Sequence, residues 1–211
     1  MEKYSIVNMI EFKRKMYFDF FVETETTLDF TVKLDVRRAV EKCQKEELSF
    51  YGYTIFNITK VVNSIENMRY DLLNEKLIVW DEIIPSFTSF NKRENLFHAL
   101  WINMEDNYLF FDKEFKTLVD EYKNSNHISP IPNEPKNMFN ISSIPWIHFD
   151  SMSGNNKYSG KTFMPTISMG KYHEENGRLL MPISIKVHHA TMDGYHISKF
   201  YDELQKQLDK V

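Results

Sequence analysis

The chain has 211 residues, 42% of them hydrophobic and 27% charged, with a formal net charge of −4. That is an ordinary soluble globular composition, long enough for one large domain with a full core, and it exerts no general pull on nucleic acid or an anionic membrane. The single cysteine, Cys43, allows neither an internal disulfide nor a cysteine-built metal site, and no apolar run has the length of a membrane span or signal-peptide core, so a reducing cytoplasm is the expected setting. Aromatic residues reach 15%, which calls for a large core, an aromatic-lined pocket or a buried subunit interface.

In chain order the pattern is mixed α/β. The aromatic spacing of "EFKRKMYFDFFVET" predicts a first helix, and "TTLDFTVKLDV" alternates as a half-exposed strand does. "VRRAVEKCQKEEL" reads as an amphipathic helix. "SFYGYTIFNITKVVNSI", apolar on most sides and β-branched, reads as a buried helix, with a strand as the alternative. "NEKLIVWDEI" reads as a hairpin arm, "PSFTSFN" as a strand, and "DKEFKTLVDEYKNS" as a helix with one charged face. The proline-rich "NHISPIPNEPKN" is a loop, "FNISSIPWIHFD" a strand with a proline interruption, and "SMSGNNKYSGK" a mobile polar loop. "TFMPTISMGKYHEENGRLLMPISIKVHHA" reads as two strands joined by a turn at "ENG", and "DGYHISKFYDELQKQLDK" as a closing amphipathic helix. There is no repeat and no linker. The fold class expected is α/β: one domain over residues 1–211, a two-layer sandwich around a large, mostly antiparallel mixed sheet.

The stretch "KVHHATMDGYHISKF", residues 186–200, carries the chemistry. His188 and His189 point to opposite faces of a strand, so they cannot share a metal as neighbours. One reading makes them a satisfied core histidine and an exposed one. The other makes His189 a general base. Asp193 then either orients that base or holds the turn by pairing with an arginine, and Gly194 permits close backbone approach or a positive φ. The residues alone leave both readings open.

"HHATMDGYH" resembles the His-His-x-x-x-Asp-Gly signature of the coenzyme A-dependent acyltransferases. With "FKRKMYF", "EKLIVWDEIIPSFTSF", "NMFNISSIPWIHFDS", "PTISMGKY", "LLMPISIKVHHA" and "DELQ" in order, the chain more narrowly resembles the chloramphenicol acetyltransferases, from about residue 4 to residue 208. The resemblance implies acetyl transfer from acetyl-CoA to a hydroxyl of chloramphenicol, in a cytoplasmic homotrimer, with no metal and no permanently bound cofactor. It makes His189 the base, with its other ring nitrogen held by a backbone carbonyl, and His188 a structural neighbour. Ser142 stabilises the oxyanion, worth about 3 kcal/mol for one hydroxyl. Asp193 pairs with Arg14 to hold the site, Ser168 supports a water, and Tyr172 and Lys171 meet the coenzyme.

The same resemblance places the acceptor wall at Phe20, Phe21, Glu25, Phe97, Gly154 and Thr166, and sets His189 and Phe21 together across a subunit boundary. Here the chain departs from the family. Phe21 stands where a tyrosine is usual, "VETETTLDF" is acidic where the family is apolar, and "FDSMSGNN" puts Met152 and Gly154 where a phenylalanine and a leucine are common. A more polar wall weakens binding of an apolar ligand by about 1–3 kcal/mol for each large apolar side chain it lacks. The same chemistry on a different small alcohol, or a non-catalytic coenzyme A- or ligand-binding relative, are the alternatives.

Overall fold

The registry of the strands dictates two unlike faces for one large sheet. The computed structural model describes residues 3–157 and 159–210. Among these the order is β1 (Tyr4–Ile6), α1 (Lys15–Glu23), β2 (Thr27–Asp35), α2 (Arg37–Lys45), α3 (Phe50–Ser64), β3 (Tyr70–Leu73), β4 (Lys76–Trp80), β5 (Ile84–Asn91), β6 (Leu96–Trp101), α4 (Tyr108–Tyr122), β7 (Met138–Ile144), β8 (Thr166–Gly170), β9 (His173–Glu175), β10 (Arg178–His188) and α5 (Gly194–Leu208), with single 3-10 turns at Glu66–Met68 and Ser159–Lys161. A seven-stranded sheet runs β2-β10-β8-β7-β5-β6, with β9 paired to β10; a separate three-stranded sheet runs β1-β4-β3. In the large sheet β7 is parallel to β5 and to β8, and the other pairings are antiparallel.

Side chains alternate between faces along a strand. Phe87, Ile141, Ile167 and Ile185 are register partners across β5, β7, β8 and β10, and all are buried beneath the helices. One residue further on, Ser142, Ser168, Ser184 and Thr31 form a row of hydroxyls on the opposite face. The helical layer has α3 at its centre, packed against α2, α4, α5 and β5. Ser49 caps it by accepting the Gly52 N–H at 3.1 Å, and ten of its residues are buried. Burial on nearly all sides explains a helix built from Ile, Val, Thr and aromatics, and the helical conformation over Phe50–Ser64 excludes the strand alternative. A satellite core of Phe18, Tyr70, Leu77, Phe163 and Ala190 joins α1 and the small sheet to the end of β10. No described helix is long and apolar enough to cross a membrane.

Several elements differ from expectation. The first helix covers only Lys15–Glu23, because Glu11, Lys13 and Arg14 lie in turns. Strands β1, β3 and β6 are additional; β6, within "ENLFHALW", is short and flanked by charge. β7 stops at Ile144, before Pro145, as a residue without a backbone N–H requires. The expected two-strand hairpin is three strands: β9 turns through Asn176 and Gly177 (φ +75°) into β10, and β8 pairs with the same β10 further along. Tyr158, in the loop expected to be mobile, lies outside the described residues.

Asp112 ties α4 to the start of α3. It is 4% exposed; its Oδ1 accepts the Ser49 N–H at 2.8 Å, and its Oδ2 lies 2.6 Å from Lys116 Nζ. Asp112→Ala leaves the Ser49 N–H unpaired and is expected to cost about 1–3 kcal/mol, read as a lower urea midpoint at unchanged slope. A variant as stable as the parent would show that the bond is replaced by water.

Candidate active site

Strand β10 ends at His188, and a tight turn carries the chain into α5. The turn is closed by the His188 carbonyl, which accepts the N–H groups of Thr191 and Met192, both at 3.2 Å. His189 opens it. Its backbone N–H donates to Thr26 O at 2.9 Å, and its Nδ1 lies 2.9 Å from Met192 O. A carbonyl only accepts, so Nδ1 carries the hydrogen and Nε2 presents a lone pair. No described residue hydrogen-bonds that Nε2. The imidazole face lies on Phe21, with ring centroids 3.7 Å apart. This corrects the expectation that His189 and Phe21 meet across a subunit boundary: they stack within one chain. The neighbouring His188 is fully buried, and burial pushes its imidazole below the ordinary histidine range.

Asp193 caps α5 and does not touch His189. Its Oδ1 accepts the Tyr195 N–H at 3.1 Å, and its Oδ2 pairs with Arg14 Nη1 at 2.8 Å. Of the two roles open to this carboxylate, the structure shows the arginine pair. His196 Nδ1 lies 2.8 Å from Asp193 Oδ1 and 3.3 Å from Asp193 N, and one ring nitrogen cannot donate to the first while accepting from the second. The shorter contact, to the charged oxygen, assigns Nδ1–H as its donor. His196 was not singled out from the sequence, although Asp-x-x-His at a helix start is a capping spacing. Gly194 needs neither property expected of it. A Cβ there would meet nothing within 4 Å, and its φ lies outside the left-handed region.

Ser142 lies elsewhere. Strand β5 pairs with β7 only as far as Phe87↔Ile141, yet continues along β6 to Asn91. The two strands part, and the Ser143 N–H bonds the Thr88 side chain at 3.1 Å. A cavity of about 860 Å³ occupies this gap and reaches both faces of the sheet. Ser142, Thr88 and Phe97 line it on the hydroxyl-bearing side, and Phe50, Tyr51 and Phe115 on the helical side. Tyr172 and Lys171 are at its wall, with Tyr172 set edge-on to Phe50 at 5.6 Å. Trp146 and Phe90, in edge-on contact at 4.9 Å, also line it and were not anticipated. Ser168, 8% exposed, is the register partner of Ser142.

Of the expected site residues, the cavity therefore gathers Ser142, Phe97, Lys171 and Tyr172, while the strand end gathers His189, Phe21, Asp193 and Arg14. Phe20 packs edge-on to Phe21 at 5.1 Å and is otherwise exposed. Glu25, at φ +48°, lies 3.7 Å from Lys161 beside the same strand end. Thr166 begins β8, and Gly154 is exposed on the loop crossing β2 and β10. His189 follows Ser184 by five residues, and Ser184 is two strands from Ser142. At about 3.3 Å per residue, the two groups sit about 15 Å or more apart within one chain.

Burial pushes the Asp193 carboxyl up, but bonds from Arg14 and His196 outweigh it and hold the carboxyl below the usual aspartate range. A depressed folded-state pKa stabilises above the unfolded value, about 3.9, and the contribution is lost as pH falls through the folded value. Asp193→Asn is thus expected to flatten the acid limb of stability below about pH 4, measured by urea unfolding at successive pH values. An unchanged acid limb would place the titration in other carboxylates.

Comparison with known proteins finds matches along nearly the whole chain. The family profile described as "Chloramphenicol acetyltransferase" matches residues 2–205. A chloramphenicol acetyltransferase of Campylobacter coli is 33% identical over 210 residues, covering 99% of this chain and 100% of the relative. One of Staphylococcus intermedius is 32% identical over 209 residues, covering 99% and 97%. A solved chloramphenicol acetyltransferase superposes with a TM-score of 0.90 at 22% identity, covering 99% and 100%. The same fold, more distantly, is that of a dihydrolipoamide acetyltransferase of Azotobacter vinelandii, with a TM-score of 0.69 at 14% identity, covering 92% and 86%. The chain belongs to the chloramphenicol acetyltransferase family.

Proposed function

We propose that the protein is an O-acetyltransferase that moves the acetyl group of acetyl-CoA onto a hydroxyl of chloramphenicol, working in the cytoplasm as a homotrimer of single-domain chains. The observation that carries the reading is the His189 imidazole, fixed by Met192 O in the tautomer a base needs, within a family whose named relatives are acetyltransferases for this antibiotic. The acceptor O–H gives its proton to Nε2 while its oxygen attacks the thioester carbonyl. The Ser142 hydroxyl donates to the oxyanion so formed, with Ser168 beside it to hold a water. Collapse expels the coenzyme A thiolate, which takes the proton back from His189. Acetyl-CoA is a co-substrate, with Tyr172 and Lys171 at the cavity wall to receive it. Arg14 and Asp193 hold the strand end.

The separation of Ser142 from His189 supports a shared site. One chain cannot bring the two groups to a single carbonyl, whereas the base of one copy facing the cavity of another can. Phe20, Phe21, Glu25, Phe97, Gly154 and Thr166 are then drawn from both sides of that boundary as the acceptor wall. The hydroxyl-free Phe21 and the Glu25–Lys161 pair favour one second reading, the same transfer to a more polar alcohol.

His189→Ala is expected to lower kcat by several orders of magnitude at similar acetyl-CoA KM, and Ser142→Ala to lower it about 10²–10³-fold, followed as thiol release from acetyl-CoA with chloramphenicol present. Near-normal turnover in His189→Ala would sink the assignment. Mixing the two variants as unfolded chains and refolding them together is expected to recover activity that neither has alone. A mixed trimer without any recovery would place Ser142 outside the site that His189 serves. Thiol release with a panel of polar alcohols but not with chloramphenicol would favour the second reading.

A further inference from the structure

His188 has a hydrogen-bonding pattern that a passive core residue does not need. Its side chain is fully buried, and its Nδ1 accepts the Ala190 N–H at 3.1 Å. The hydrogen therefore sits on Nε2, which donates to Gly160 O at 3.0 Å. The ring is stacked on the buried Phe163, with centroids 4.5 Å apart and planes at 19°. Burial pushes this imidazole below the ordinary histidine range, the direction of the neutral form that an acceptor at Nδ1 requires.

Gly160 is pressed against the turn between α1 and β2. A Cβ at Gly160 would lie 2.4 Å from Glu25 Cβ and 2.8 Å from Glu25 O. Glu25 holds a left-handed φ of +48°, a conformation that costs a non-glycine residue and persists only where the surroundings impose it. The turn is closed by Glu25 N–H to Val22 O and Thr26 N–H to Phe21 O. Thr26 O in turn accepts the His189 N–H, and Phe21 is the residue stacked on the His189 ring. The contacts form a closed circuit: His188 side chain, Gly160, Glu25 and Thr26, then His189.

We propose that His188 is a positioning residue for the reaction: its Nε2–H clamps the Gly160 carbonyl so that the Ser159–Lys161 turn braces the Glu25–Thr26 backbone, and that brace sets the placement of the His189 imidazole. The proposal rests on His189 being the base. Two histidine replacements separate the clamp from the core packing. His188→Gln puts a side-chain N–H donor where Nε2–H stood, whereas His188→Asn is shorter, reaches only as far as Nδ1, and loses the clamp.

The experiment compares His188→Gln, His188→Asn, Gly160→Ala and the double variant carrying both His188→Asn and Gly160→Ala, with acetyl-CoA and chloramphenicol as substrates. His188→Asn and Gly160→Ala are expected to lower kcat about 10- to 100-fold, the scale of a small misplacement of a reacting group. Their acetyl-CoA KM is expected to stay within about twofold, because only the reacting geometry changes. His188→Gln is expected to keep kcat within about threefold of the parent, and the double variant to be no worse than the poorer single one, since both break the same link. Equal impairment of the Gln and Asn variants, or impairments that multiply in the double variant, overturns the clamp. If the His188 variants do not fold, Gly160→Ala decides alone: reduced kcat at an unchanged Tm supports the brace, and parental kcat overturns it. Full activity in His189→Ala would instead overturn the base assignment on which the proposal rests, while an inactive His189→Ala beside an unimpaired Gly160→Ala removes the clamp alone.

Discussion

The carbonyl oxygen of His188 is the point on which this end of the molecule turns. It ends the β10 ladder and accepts from two successive N–H groups, so the strand reverses within three residues and enters α5. That reversal puts Met192 O against His189 Nδ1 and makes Asp193 the first capping residue of the helix. Strand pairing of β10 with β2 and β8 holds the turn from one side, and the Arg14–Asp193 pair from the other. The chemistry proposed for the strand end needs a small group in one tautomer at one place, and a short hydrogen-bonded turn at the end of β10 supplies it.

Some of this is written locally in the sequence. The alternation of β2, the Asn-Gly turn before β10 and the buried character of α3 can be read within a window of ten or fifteen residues, because each reflects which side of one element is dry. The ordered segments from "FKRKMYF" to "DELQ" carry the family, and the match along residues 2–205 agrees with them. Those segments also imply an arginine partner for Asp193, and Arg14 Nη1 lies 2.8 Å from its Oδ2.

What could not be read depends on contacts between distant segments. β6 is a six-residue run among charges, and only its register with β5 makes it a strand. The parting of β5 from β7 opens the cavity, and no periodicity announces where two strands stop pairing. Gly160 is one of two glycines in a polar stretch; its lack of a side chain matters only because Glu25 is folded against it. Phe21 was placed across a boundary because its family position faces the acceptor, whereas its ring in fact rests on His189. The helix–strand connection is short, so α1 delivers that ring to His189 of its own chain.

The large sheet closes with β2 at one margin, where Phe30 and Val32 are 39% and 37% exposed. A margin strand has one row of amide and carbonyl groups that only water or another strand can meet, and half-dry side chains beside it favour the strand. Whatever chain docks there contributes binding energy that scales with the logarithm of its concentration. Were copies of the proposed homotrimer to meet along this margin, resistance to unfolding would rise with protein concentration and fall on dilution.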